Sequence, residues 1–278
     1  METVPVPDLF LNGQPNNDAV VFVPYTSSVP VIKGRASLGK HMISLITEGE
    51  KVLHIENKTI NLTPNHILLL AAGNVLFTER LGPNAQIKST MIFFDGQTLH
   101  NALEQFQEPR AMQDTRTPYL LFNRDNYLHS FIESVNTLMD QELMNSPLMH
   151  AKLNELLAYL NSKHPGLLAS LRSVSARPEE ERLRQVIEAH LTEQLTLTEL
   201  AFLCHMSLAT FKRKFEQVYH ESPARWLQIQ RLTLAANKLR AKAAKPGDVY
   251  VEAGYENHSS FSKAFKQYFG VLPKNYVP

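Results

Sequence analysis

The chain has 278 residues, of which 44% are hydrophobic and 20% charged, and a formal net charge of +1. That suits two domains, each able to bury its own core. No apolar run is long enough to span a bilayer, and METVPVPDLFLNG has neither the basic start nor the apolar core of a signal peptide. The single cysteine, Cys204, excludes an internal disulfide and fits a reducing compartment, so a cytosolic protein away from any membrane is predicted.

Residues 20–94 carry the period of strands. AVVFVPY, MISLITEGE, KVLHI, TINL, HILLLAA, VLFTERL and IKSTMIFF are short runs rich in Val, Ile, Leu, Phe and Thr. Turn signals such as Glu48-Gly49-Glu50, Glu56-Asn57-Lys58 and Ala72-Gly73-Asn74 separate them. Strands this short and closely spaced predict a small barrel or sandwich. Their alternation is too weak to say which face of each strand points inward.

From about Asp125 the period becomes 3.6, and two helices are predicted over about 125–163. The first places Leu128, Phe131, Ile132, Val135, Leu138 and Met139 on one stripe. Ser146-Pro147 offers an N-cap and first-turn proline for the second, which carries Leu153, Leu156, Leu157 and Leu160. These helices either cover the strand domain or pair with a second copy of the chain. Residues 173–178, SVSARP, have linker composition. The boundaries are therefore 1–172 for the N-terminal domain, 173–178 for the linker and 179–278 for the C-terminal domain.

The last third is helical by pattern, and it holds most of the positive charge. From His205 onward there are 12 Lys/Arg against 5 Asp/Glu. Glu179, Glu180 and Glu181 open a helix where its dipole favours acids. Thr198 is a candidate cap for the short helix ELAFLC, and Ser207 for SLATFKRKFEQVY. Ser222-Pro223 starts a long helix through about Lys242. Residues 207–215, SLATFKRKF, then recur fifty residues on as NHSSFSKAF, residues 257–265. Phe211 answers Phe261, Arg213 answers Lys263, Phe215 answers Phe265, Gln217 answers Gln267 and Pro223 answers Pro273.

A short helix, a turn, then a capped helix with small and basic residues near its start is the layout of a helix-turn-helix, whose second helix enters the major groove. Small side chains at Ala209 and Thr210 permit close approach. Lysine and arginine supply phosphate or guanine contacts. A connector of about 20 residues spans about 30 Å, close to the roughly 34 Å between successive major-groove faces. Two readers in one chain would thus reach adjacent grooves of one duplex.

The order Leu197, Leu200-Ala201, Met206-Ser207, Phe211, Arg213, Phe215, Pro223, Trp226-Leu227, Arg231-Leu232, Ala235, Leu239, Val249, Gly254-Tyr255, Phe261-Ser262-Lys263, Phe265-Lys266, Gly270, Pro273 and Tyr276 resembles the DNA-binding domain of AraC/XylS-type bacterial transcription regulators. Leu62 to Leu70, followed by a turn, looks like the pleat of a cupin-type jelly roll. HAKLNELLAYLNSKHPGLLASLR is similar to the subgroup that includes activators of type III secretion genes. The resemblance implies an α+β two-domain fold. A cupin-like jelly-roll domain with helices would precede an all-α domain of two helix-turn-helix units on a long helix.

By position, the resemblance places base contacts on Ala209, Thr210, Lys212 and Arg213 in the first unit and on His258, Ser259 and Lys263 in the second. It places phosphate contacts on Lys214 and Lys266. It implies double-stranded promoter DNA and RNA polymerase as partners, and control through the N-terminal domain. That domain would bind a small-molecule effector or dock an anti-activator protein or a second copy of the chain. The chain departs from the family pattern before Gly254-Tyr255. Gly247 is expected to weaken the supporting helix, and Tyr250 puts a ring where a methyl group usually packs, so the second reader is expected to be the looser one. No catalytic residue, metal or cofactor is expected. His41, His54, His66 and His100 stand singly, and no Ser/His/Asp arrangement, CxxC or Gly-rich phosphate loop occurs.

Overall fold

A computed structural model describes residues 3–11, 18–56, 58–106, 117–171, 178–241, 247–255 and 257–276. The predicted linker residues 173–177 lie outside the described residues. The chain forms two compact units, Met1–Ile55 with Thr59–Arg177, and Glu56–Lys58 with Pro178–Pro278.

The strands are β1 (Thr3–Val6), β2 (Val20–Ser27), β3 (Gly34–Leu38), β4 (His41–Glu48), β5 (Glu50–Ile55), β6 (Lys58–Leu62), β7 (His66–Leu70), β8 (Gly73–Arg80), β9 (Ile87–Phe94) and β10 (Tyr119–Asn123). They form two five-stranded sheets, in the orders β1-β3-β8-β5-β6 and β10-β7-β4-β9-β2. β1 runs parallel to β3, while β4 lies antiparallel to both β7 and β9. Strand structure thus extends beyond residues 20–94 at both ends. β1 and β10 are edge strands of four and five residues, too short to announce themselves by period. β3, GRASL, is likewise short and lacks bulky β-formers.

The second sheet is covered on both faces, and this resolves the ambiguous alternation. Val21 and Val23 of β2, Met42 and Ile46 of β4, Leu68 and Leu70 of β7, and Met91 and Phe93 of β9 meet the first sheet in one apolar layer. Their sequence neighbours Val20, Phe22, Ile43, Leu45, Ile67, Leu69, Ile92 and Phe94 face a second layer built by helices. A strand buried on both faces reads as a continuous apolar run, because neither side chain set needs to meet water.

Three helices form that outer layer. α1 (Gly96–Gln105) is capped by Asp95, whose carboxylate accepts from Thr98 N at 2.8 Å. α2 (Asn126–Asp140) buries Leu128, Phe131, Ile132 and Val135, and Asp125 caps it by accepting from Leu128 N at 3.0 Å. α3 (Ser146–Lys163) buries Leu153, Leu156, Leu157 and Leu160. Its cap is Asn145 rather than Ser146, since Asn145 accepts from Leu148 N at 3.1 Å and Ser146 already lies inside the helix. Leu153 to Leu160 join the same apolar layer as the strands. This side of α3 covers the sheet within its own chain.

Gly49 closes the β4–β5 turn at φ 81°, and a Cβ there would stand 2.7 Å from the Arg80 carbonyl oxygen. Gly49→Ala should therefore destabilise the protein by about 2 kcal/mol or more, seen as a lower midpoint in thermal or urea unfolding.

Candidate nucleic-acid interface

The second unit begins with α4 (Glu179–His190), which buries Leu183, Val186 and Ile187 and carries three glutamates in its first turn. α5 (Leu197–Leu203) follows. It opens with a capping box in which Thr196 accepts from Glu199 N at 3.2 Å and the Glu199 carboxylate accepts from Thr196 N at 2.7 Å. The cap is thus Thr196 and not Thr198. The reciprocal bond to the glutamate three residues on satisfies two backbone donors at once.

His205 turns the chain in the left-handed region, at φ 59°. Ser207 then caps α6 (Leu208–Tyr219) by accepting from Thr210 N at 3.2 Å. Phe211 and Phe215 are fully buried, one helical turn apart. The opposite side therefore faces solvent, and Ala209, Lys212 and Arg213 are exposed on it. Two residues from the sequence reading have prior engagements. The Ser207 hydroxyl donates to Thr210 Oγ1 at 2.9 Å, which ties Thr210 to the cap. Lys214 is half-buried, with Nζ 3.0 Å from Glu179 Oε2, and this holds the Glu179 carboxyl below its ordinary range. A phosphate would have to exchange with Glu179 for Lys214. Cys204 is buried, and burial pushes its thiol up, as for a packing residue rather than a reactive one.

α7 (Pro223–Arg240) has 18 residues, which at 1.5 Å each is about 27 Å. Its N-terminal part packs on the first reader, with Trp226 5.6 Å from Phe215 and 4.4 Å from Tyr219 between ring centroids. Leu232, Ala235, Ala236 and Leu239 instead join Val249, Ala253, Phe261 and Phe265 in the second core. Arg231 lies between the two. It donates to the Leu191 carbonyl at 3.1 Å and the Glu193 carbonyl at 2.7 Å, closing the C-terminal end of α4. Gly254 faces it, and a Cβ there would lie 3.1 Å from Arg231 Nη1. Sequence reasoning placed Arg231 in the pattern but missed this clamp, since both acceptors are backbone.

The second reader repeats the first with a shorter support. α8 (Val249–Glu252) has four residues and no side-chain cap at Asp248, against the seven residues and capping box of α5. Gly247 sits in the turn before α8 and not in the helix, so its cost falls on the entry to α8. Lys242, the expected end of the long connecting helix, lies outside the described residues. α9 (His258–Phe269) is capped by Asn257, which accepts from Ser260 N at 2.9 Å, and ends on Gly270 in the left-handed region. Both readers thus start, bury their phenylalanine pair and stop at positions fifty residues apart. Even the left-handed stops match, with His220 at φ 56° and Gly270 at φ 79°.

His258, Ser259, Lys263 and Lys266 are exposed on α9. His258 is also backed by the edge of Tyr250, with ring centroids 6.0 Å apart at 90°. The oversized ring of α8 thus supports the first residue of the second reader. No helix among the described residues is long and apolar enough to cross a membrane.

Two family models match the chain. The ExsA N-terminal regulatory domain covers residues 41–171, and a helix-turn-helix domain covers residues 200–277. The chain is 27% identical over 235 residues to the virulence regulon transcriptional activator VirF of Yersinia enterocolitica, covering 82% of this chain and 86% of that protein. It is 25% identical over 238 residues to the HTH-type transcriptional regulator ExsA of Pseudomonas aeruginosa, covering 83% and 84%. Among solved structures, ToxT from Vibrio cholerae matches 93% of this chain and 96% of its own, at 14% identity and a TM-score of 0.37.

Alanine at either Gly254 or Gly270 costs about 1–2 kcal/mol for the left-handed conformation. Gly254→Ala should lower the melting temperature further, because it also displaces Arg231, whereas Gly270 faces open space. His205 is half-buried, and burial, aided by the Arg182 charge, pushes its imidazole down to about 4 from an ordinary 6.5. Its folded value is depressed, so its contribution is intact above about pH 6.5 and is lost as pH falls towards about 4. Chemical denaturation across that window should show a smaller loss in His205→Asn, since asparagine tolerates the left-handed turn.

Proposed function

From the premise that the chain belongs to the AraC/XylS-type bacterial transcription regulators, with an ExsA-type regulatory domain ahead of its helix-turn-helix domain, we propose that it activates transcription by gripping two adjacent major grooves of promoter DNA. The observation that carries this reading is the pair of matched helices, α6 and α9. Each is pinned by two buried phenylalanines and offers its small and basic residues to solvent.

Arg213, Lys212, Ala209 and Thr210 read bases from α6, while His258, Ser259 and Lys263 read them from α9. Lys214 and Lys266 hold phosphates, Lys214 by leaving Glu179. Phosphate contacts set affinity and register, and the base contacts carry the discrimination, about 1–3 kcal/mol for each good bidentate pair. RNA polymerase is recruited to the bound promoter, and the N-terminal domain sets when this happens. A cavity in that domain favours a small-molecule signal over a purely protein-docking role. The chemistry is binding and not catalysis.

The unequal supports predict unequal readers. Arg213→Ala should cost more promoter affinity and more base discrimination than Lys263→Ala in a binding titration, and equal losses would count against the proposal. Footprinting on the upstream region of the protein's own gene should protect two neighbouring grooves on one face of the duplex. Protection of a single groove would overturn the paired geometry. Affinity should fall steeply with salt, and Lys266→Ala should reduce that slope by about 1.

A further inference from the structure

A cavity of about 360 Å³ opens between the two sheets of the first unit. With about 30 Å³ per water-sized group, it holds roughly a dozen non-hydrogen atoms. Its lining is mainly aliphatic and aromatic, Met42 and Phe77 among it, with a small polar set of Tyr25, Arg35, Ser44, Lys51 and Glu79.

Ser44 lies on β4 between Met42 and Ile46, the inward residues of that strand, and is 1% exposed. Its Oγ has no hydrogen-bond partner among the described residues. A buried hydroxyl left in that state carries its desolvation penalty uncompensated, so a hydrogen-bonding group entering the cavity recovers something the fold leaves unmade.

The charges nearby are already balanced. Lys51 and Glu79 stand opposite each other in the β5–β8 register, with Nζ 3.0 Å from the carboxylate. The ammonium lies 4.7 Å from the Tyr25 ring centroid, and the Tyr25 hydroxyl donates to Glu79 at 2.7 Å. Burial, then the Glu79 bond, pushes that hydroxyl's pKa up, which keeps it neutral. Arg35, the remaining cation of the lining, is half-exposed and has interactions of its own. An incoming carboxylate would shed its water without gaining a free cation, at a large cost.

We propose that this cavity binds a neutral, largely apolar small molecule that carries one hydroxyl or carbonyl group, which hydrogen-bonds to Ser44 Oγ. This rests on the reading of the first unit as a regulatory domain, and it names the class of signal that domain receives.

The test is a thermal-shift and calorimetric titration of the full chain with decan-1-ol and, in parallel, decanoate. The alcohol should raise the melting temperature saturably and bind at least tenfold more tightly than the acid. Ser44→Ala removes an unpartnered hydroxyl, so the unliganded protein should melt no lower, while its affinity for the alcohol falls about fivefold. Ala36→Phe, which fills the cavity, should abolish the shift. Glu79→Gln frees Lys51 and should move the preference towards the acid. No shift with the alcohol, equal binding of the acid, or undiminished binding by Ser44→Ala would each overturn the proposal. Footprinting of the same preparation separates the two readings. Promoter protection without alcohol binding overturns the cavity alone, and absence of protection overturns the regulator.

Discussion

Each reading helix must bury two phenylalanines one turn apart, and the exposure of the residues proposed to contact DNA follows from that requirement. Phe211 and Phe215 are fully inside, as are Phe261 and Phe265. Full burial of such a side chain is worth roughly 1.5–3 kcal/mol, more than any single exposed charge contributes. Rotation of α6 or α9 about its axis would expose these rings, so Arg213 and Lys263 are held outward by packing on the opposite side. The caps at Ser207 and Asn257 set where each helix begins, and so which residues stand at the groove-facing end.

α7 joins the two readers by dividing its surface between them. Trp226 packs among the first reader's aromatics, and Leu232 to Leu239 complete the second core. A helix that packs on different sides along its length shows no single apolar stripe. Arg231 adds a polar tie at its middle, where the guanidinium meets the carbonyls at the end of α4 and packs closely against Gly254. The two readers therefore share a frame while differing in their supports, as α5 and α8 do.

The first unit follows a different rule. Its second sheet is sandwiched between the other sheet and the helices, so one face of each strand belongs to each layer. Where the inner layer is not filled by side chains it leaves the cavity, and the inward polar residues there have to satisfy one another. Lys51, Glu79 and Tyr25 do so through an ion pair and a hydrogen bond. Ser44 does not.

The sequence by itself determined the local and periodic features. These are the strand-to-helix change near Asp125, the fifty-residue repeat, the cap at Ser207, and the phenylalanine faces that turn Lys212, Arg213 and Lys263 outward. They rest on i, i+4 spacing and single-residue backbone preferences, which a short window contains. Caps were less legible where two acceptors compete, as Thr196 with Thr198 and Asn145 with Ser146, because the backbone angle at the entry decides between them. Only the tertiary structure decided what depends on distant neighbours. It chose the inward face of strands apolar on both sides, the pairing of Lys51 with Glu79 across a sheet, the contact of Tyr250 with His258, and the occupation of Lys214 by Glu179. Each joins residues whose types are ordinary in sequence and which acquire a role only when packing removes water from between them.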